Sequence, residues 1–202
     1  MEQRSQEYYD DIVDNIIDIA ESIEPHKITI LTGPNGSGKS VVRQLLSRSI
    51  SEKCGVNINN AVSSISMSRR TGGEGAIRAF TSDTPWSPTG QNSYNFVCAV
   101  LKSSKNRFIV MDELEIGMSD ELLMTTVQYI NDNYNAEEHL GLLVITHSRN
   151  VVKWLNHDYF INMSGMTEDE WVNREVKPLD IEQFEEDCHK LFRCIDARTK
   201  KK

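Results

Sequence analysis

The chain predicts an α/β domain built on a mostly parallel central sheet. Three observations carry that reading. Residues 28–31, 108–111 and 142–145 are short apolar runs without polar alternation, as strands covered on both faces read. Between them lie longer segments whose apolar residues recur at helical spacing. Strands and helices therefore alternate, which is the pattern of parallel strands joined by helical crossovers. A chain of 202 residues is long enough to bury a proper core as one large domain.

The first element is an amphipathic helix. Tyr8, Ile12, Ile16, Ile19 and Ile23 form a stripe flanked by Tyr9, Val13, Ile17 and Ala20, while Asp10, Asp11, Asp14, Asp18 and Glu21 take the opposite side. The stripe is expected to bury in the core, and Pro25 stops the helix. A strand over residues 27–31 follows, then a glycine-rich loop, then a helix to about Ile50. Residues 57–70 carry an alternation (Val62, Ile65, Met67) that suits a strand. Residues 71–75 and 81–89 read as loops, from their Gly and their Pro, Ser and Thr content. The remaining pattern is helix 91–101, strand 107–111, helix 119–133, strand 141–145, helix 148–155 and strand 158–163. Thr167 and Glu170 have capping-box spacing, and Asp180 is placed to cap a last helix reaching about Ala197. The expected divisions are an N-terminal helix (1–25), a core (27–163) and a C-terminal helical segment (164–202) of one domain.

Bulk composition narrows the function classes. Lys and Arg total 22 against 30 Asp and Glu, a formal net charge of −8. An acidic chain disfavours a general nucleic-acid coat. Arg69, Arg70 and Arg78, and Lys102, Lys105 and Arg107, read as solvated surface. Cys54, Cys98, Cys188 and Cys194 form no C-x-x-C pair and read as reduced, mostly buried thiols of a cytoplasmic protein. Cys188-His189 with Cys194 is a weak metal candidate, because that spacing does not share a helix face. No leader and no long apolar stretch is seen, so no membrane partner is expected.

The run Gly33-Pro34-Asn35-Gly36-Ser37-Gly38-Lys39-Ser40 matches the phosphate-loop pattern G-x-x-x-x-G-K-[ST] at every fixed position. It follows a strand-like run and precedes a helix-like one, the context the pattern requires. The glycines let the backbone turn its N–H groups onto a polyphosphate, and the helix adds the positive end of its dipole. The binding set would be Gly33, Asn35, Gly36, Ser37, Gly38, Lys39, Ser40 and Val41. Lys39 would reach the β- and γ-phosphates and the Ser40 hydroxyl would ligate Mg²⁺. The fold class is thus that of a P-loop NTPase, a three-layer sandwich. Asp112 and Glu113 end the apolar run 108–111. At the carboxyl end of a parallel strand they would face the ligand crevice, Asp112 toward Mg²⁺ and Glu113 toward the attacking water. His147, after the run 142–145, could hydrogen-bond that water or the γ-phosphate; the plain alternative is a structural or capping histidine.

These segments together resemble the ABC-type ATPases, especially the soluble branch of Rad50, SMC and RecF-like proteins. The resemblance covers about residues 27–163 at motif level and rests on Gly33 to Ser40, Asp112-Glu113 and His147. It implies MgATP as ligand, Glu113 as catalytic base and His147 as a switch histidine. It also implies a signature loop ahead of Asp112. Ser87-Pro88-Thr89-Gly90-Gln91-Asn92-Ser93 sits there, in one of two registers: Gly90-Gln91 as the closing Gly-Gln, or Thr89-Gly90 as the Ser-Gly. In the family this loop meets the ATP of a second copy, so the resemblance implies an ATP-dependent homodimer. Three departures stand out. No Gln lies between Gln44 and Gln91 to serve as the family's Q-loop ligand; the D-loop position falls near Ser119 or Asp120; and a helix replaces the usual opening β-subdomain. Tyr8, Tyr9 and His26 are the remaining candidates for contact with the adenine.

The expected function is a MgATP-binding ATPase that dimerises on ATP, hydrolyses it slowly and controls a protein partner or acts on DNA. A non-hydrolysing ATP-sensing subunit and a small-molecule kinase with arginines Arg69, Arg70 and Arg78 over the phosphates are the alternatives.

Overall fold

Five short runs of sequence become parallel strands in the computed structural model, which describes residues 6–66, 89–176, 178 and 180–199. They are β1 (Ile28–Thr32), β2 (Val62–Ser66), β3 (Phe108–Asp112), β4 (Gly141–Ile145) and β5 (Tyr159–Asn162), in the spatial order β2-β3-β4-β1-β5. Each neighbouring pair is parallel. The three inner strands are buried along their whole length, and the two edge strands are partly exposed. That difference explains why β1, β3 and β4 read as predominantly apolar runs and the edge strands do not.

Helices cover both faces. They are α1 (Gln6–Ser22), α2 (Lys39–Cys54), α3 (Ile58–Ala61), α4 (Thr89–Ser103), α5 (Asp120–Asn133), α6 (Arg149–Trp154), α7 (Glu168–Asn173) and α8 (Ile181–Thr199). Alternate side chains of each strand point to opposite faces. Leu31, Phe108, Val110, Leu143 and Ile145 bury against α1, α2 and α8. Ile28, Ile30, Ile109, Met111, Leu142 and Val144 bury against α4, α5, α6 and α7. The expected α/β three-layer sandwich is therefore the observed one, with a wholly parallel described sheet.

Local chemistry sets the helix ends. Lys53 Nζ donates to the carbonyls of Glu21 and Ile23 (2.8 Å to Ile23), closing the C-terminal end of α1 with a cation. Ser119 Oγ accepts from Leu122 N–H at the start of α5. Thr167 and Glu170 form the expected reciprocal capping box of α7. Asp180 accepts from Gln183 N–H at 3.1 Å at the start of α8. Tyr9 Oη donates to Asp187 at 2.9 Å, and Arg198 pairs with Asp10 and Asp14, so α1 and α8 are joined by polar as well as apolar contacts.

Three expectations change. Residues 57–70 are not one strand: the Asn57 side chain accepts from Asn59 N–H and turns the chain into α3, so β2 begins only at Val62. Residues 67–70, and the loops read at 71–75 and 81–88, lie outside the described residues. Helix α1 is rotated so that Tyr9 and Val13 are buried while Tyr8 remains 40% exposed. Of the four cysteines only Cys194 is buried; Cys54, Cys98 and Cys188 are half-buried. Among the described residues no helix is long and apolar enough to cross a membrane.

Ile16 is fully buried in α1, and its Cδ1 lies 2.3 Å from where a Cβ on Gly38 would stand. Truncation to Ala would open a cavity between α1 and the loop ahead of α2. Ile16→Ala is expected to cost about 3 kcal/mol of stability in urea unfolding, as large-to-small core changes do.

Candidate nucleotide site

The carboxyl ends of the three inner strands lie side by side. β1 runs into Gly33 and the loop before α2; β3 ends in Asp112 and Glu113; β4 ends before Thr146 and His147. Because β4 sits between the other two, His147 emerges between the loop and the acidic pair. Ile145 pairs with Leu31 on one side and Asp112 on the other. Two further backbone bonds level the edge: Thr146 N–H to Leu31 O at 3.1 Å, and Glu113 N–H to Ile145 O at 2.8 Å. In a parallel α/β sheet this edge is where ligands bind.

The loop is held close to both helices above it. Gly36 and Gly38 have φ of 72° and 96°, in the left-handed region where a side chain is strained. A Cβ on Gly36 would fall 2.4 Å from Cys188 Sγ of α8, and one on Gly38 would strike Ile16 of α1. Gly38 also caps α2 and supplies no side chain to the helix start. Ser37 Oγ is enclosed and has no hydrogen-bond partner among the described residues. Asn35 and Ser40 are exposed, Ser40 on the first turn of α2. Val41 differs from expectation: its side chain lies in the core and its N–H donates to Gly38 O at 2.8 Å, so it is part of the helix's own start.

Lys39 is 8% exposed, and its ammonium donates to the carbonyls of Gly33 (3.0 Å) and Pro34 (2.7 Å). Burial pushes its pKa down to about 8, against the opposing pull of Glu113 and Asp112. An ammonium kept this dry gains strongly from an added anion. Asp112 is also buried and pairs with Arg43 of α2, Nη1 to Oδ2 at 2.7 Å. Burial nevertheless holds the Asp112 carboxyl above its ordinary range, outweighing Arg43.

Glu113 has φ of 55°, a left-handed conformation that turns its side chain toward β4. His147 Nε2 lies 3.9 Å from Glu113 Oε1, beyond a direct hydrogen bond but close enough for one water to touch both. Burial, then the charges of Lys39 and Arg174, lower the His147 pKa, so the imidazole is neutral at pH 7. Arg174 stacks 4.1 Å over the Trp171 ring and donates to Trp171 O at 2.7 Å.

Lys39, Asp112, Glu113 and His147 are thus brought together, with Ser40 beside Lys39. Thr89, Gly90 and Gln91 form the start of α4. Gly90 is buried against Gly117, Met118 and Leu122, in the segment after β3. Gln91 Nε2 donates to Asn95 on its own helix at 3.1 Å, and Asn92 and Ser93 are buried. Ser87, Pro88 and the Thr89 side chain lie outside the described residues, as do Arg69, Arg70 and Arg78. His26 is excluded from base contact: it precedes β1 at the opposite edge of the sheet, its Nδ1 2.8 Å from Ala136 O and 3.1 Å from His139 O. Among the described residues no cluster of His, Cys, Asp and Glu forms a metal cage, so Cys188, His189 and Cys194 make none.

Three charged residues were missed from sequence. Arg43 stands one helical turn beyond Lys39 on the same face, and that spacing was the available signal. Glu115 and Arg174 reach the site only through tertiary contacts. The donor set fits a polyphosphate with a hard cation: an uncapped helix start, a dry ammonium, an enclosed hydroxyl without partner, and oxygen ligands at Ser40 and Asp112.

No protein-family model and no curated protein matches this sequence. Solved structures similar to it include the following two. C. elegans PCH-2 is 15% identical, with a TM-score of 0.38 over 82% of this chain and 44% of that one. The Aeropyrum pernix ORC2 protein, in ADPNP–ADP complexes, is 13% identical, with a TM-score of 0.36 over 78% of this chain and 46% of that one. The chain spans less than half the length of either.

The depressed Lys39 pKa predicts a pH signature without ligand. A lysine whose folded pKa lies below its unfolded value of 10.5 opposes folding fully below about pH 8. The cost fades as pH rises toward 10.5. Lys39→Met is expected to melt higher than the parent protein at pH 7, and the gap is expected to narrow between pH 8 and 10. Thermal unfolding across that range checks it.

Proposed function

We propose that the chain is a MgATP-binding ATPase of the ABC type, with residues 1–202 acting as one domain. The observation that carries the reading is the meeting of Lys39, Asp112, Glu113 and His147 at one sheet edge, with β4 placing His147 between loop and acids. The loop amides and Lys39 would hold the phosphates, and Ser40 and Asp112 would hold Mg²⁺. The ion, when bound, would neutralise charge on the phosphate oxygens. Glu113 would orient the attacking water and take its proton, help worth about 10²–10⁴-fold. His147, neutral at working pH, can accept from that water or donate to the γ-phosphate. Arg43 pairs with Asp112 but, having no acceptor, does not replace the family's Q-loop Gln.

The start of α4 supports the dimer in part. Gly90 lies against the segment after β3, so a second copy meeting Thr89 to Gln91 would also meet exposed Ile116 beside Glu113. ATP would then join two copies, and slow hydrolysis would release them to control a protein partner or act on DNA. The second reading is an ATP sensor that does not hydrolyse. It is favoured by Asp112, whose carboxylate Arg43 already holds, and by Lys39, tied to two carbonyls. A small-molecule kinase is disfavoured by the Glu113–His147 pair.

Glu113→Gln decides between hydrolysis and sensing. The variant is expected to bind ATP, to lose turnover by at least about a hundredfold, and to double its mass in light scattering when ATP is added. Unchanged hydrolysis would remove Glu113 as the base. Constant monomer mass would remove the dimer.

A further inference from the structure

Glu115 has no part in phosphate binding or proton transfer as described, yet its carboxylate ties together the segments that follow β3 and β4. Its Oε1 accepts two hydrogen bonds, from Thr146 Oγ1 at 2.8 Å and from His147 N–H at 2.9 Å. Thr146 Oγ1 in turn accepts from Ser148 N–H at 2.9 Å. One carboxylate oxygen therefore ties the segment after β3 to three consecutive residues after β4.

Its partner bond lies two residues earlier. Glu113 N–H donates to Ile145 O, the last carbonyl of β4. Residues 113–115 and 145–147 thus close a ring fastened at both ends, Glu113 to Ile145 and Glu115 to His147. The Glu113 and His147 side chains project from that ring. The two backbone segments that carry them cannot part unless one fastening breaks.

The arrangement is poor if its purpose is stability. Glu115 Oε2 is enclosed and has no hydrogen-bond partner among the described residues. Glu115 itself is half-buried, and an enclosed oxygen without a partner is the kind of feature that persists where it serves a site. The left-handed backbone of Glu113 on the same ring is a second cost.

We propose that Glu115 is the positioning residue of the Glu113–His147 pair, holding the His147 backbone so that the imidazole stays in reach of the water on Glu113. The inference rests on the ATPase reading above. It predicts that Glu115 acts only through His147, and by accepting hydrogen bonds.

The test is steady-state ATP hydrolysis by the full chain and four variants: Glu115→Ala, Glu115→Gln, His147→Ala and the double variant Glu115→Ala/His147→Ala. Glu115→Ala is expected to lower kcat about tenfold to a hundredfold and to leave KM nearly unchanged. Glu115→Gln keeps an oxygen that can accept both bonds, and is expected to restore most of that loss. The double variant is expected to be no slower than His147→Ala. Losses that multiply in the double variant would overturn the proposal, as would a Glu115→Gln variant as slow as Glu115→Ala. Should Glu115→Ala fail to fold, Glu115→Gln alone still decides: a loss of tenfold or more in that variant contradicts the hydrogen-bond role. Absence of turnover in the parent protein sinks the ATPase reading and this proposal with it, whereas multiplying losses in an active protein sink this proposal alone.

Discussion

Ile145 is hydrogen-bonded into the sheet between Leu31 and Asp112, and the site depends on that pairing. Parallel register levels the ends of three strands, so the loop after β1, the acids after β3 and the histidine after β4 start from one line. The backbone bonds from Thr146 N–H to Leu31 O and from Glu113 N–H to Ile145 O extend the line by a residue on each side. The inner strands are buried along their length and mostly apolar, and helices on both faces keep water from competing for those bonds. Burial therefore sets the rigidity of the edge, and the edge sets distances such as the 3.9 Å between His147 and Glu113.

The groups on that edge are expensive to keep. Lys39 is an ammonium stripped of water, Asp112 is a buried carboxylate held above its ordinary pKa, and Glu113 occupies a left-handed conformation. Ser37 Oγ and Glu115 Oε2 are enclosed without partners among the described residues. The core of three fully buried strands supplies the surplus stability that makes such features tolerable. Most of these costs share a direction: Lys39, Asp112, Ser37 Oγ and Glu115 Oε2 are groups that an incoming phosphate, cation or water would satisfy. That is the expected pattern where a site is preorganised at the expense of the folded state.

Much of this was legible in the sequence, and the reasons are local. The runs at 28–31, 108–111 and 142–145 announce buried strands because no charge and no polar alternation interrupts them, Thr29 being their one polar residue. Gly33 to Ser40 announces the loop because each fixed position has a steric or charge requirement met by its neighbours in the chain. The caps Ser119, Thr167 and Asp180 act within three residues, so they too can be read. Strand order is different: placing β4 between β1 and β3 depends on packing across the whole domain. Glu115 looks like one more acid in a loop until Thr146 and His147 approach it from 31 and 32 residues away. Arg174 and the docking of α8 on Gly36 are of the same kind. His26 misleads because position in sequence, close to the loop, does not show that the strand between carries it to the far edge.

The central claim is that this edge reads a nucleoside triphosphate through its β- and γ-phosphates. Calorimetric titration of MgATP and MgAMP into the unmodified protein at pH 7.5 tests it most directly. The account predicts saturable heat with MgATP and affinity for MgAMP lower by at least about a hundredfold, since AMP lacks the groups that Lys39 and the start of α2 would hold. Equal affinity for the two, or no heat with MgATP, would contradict it.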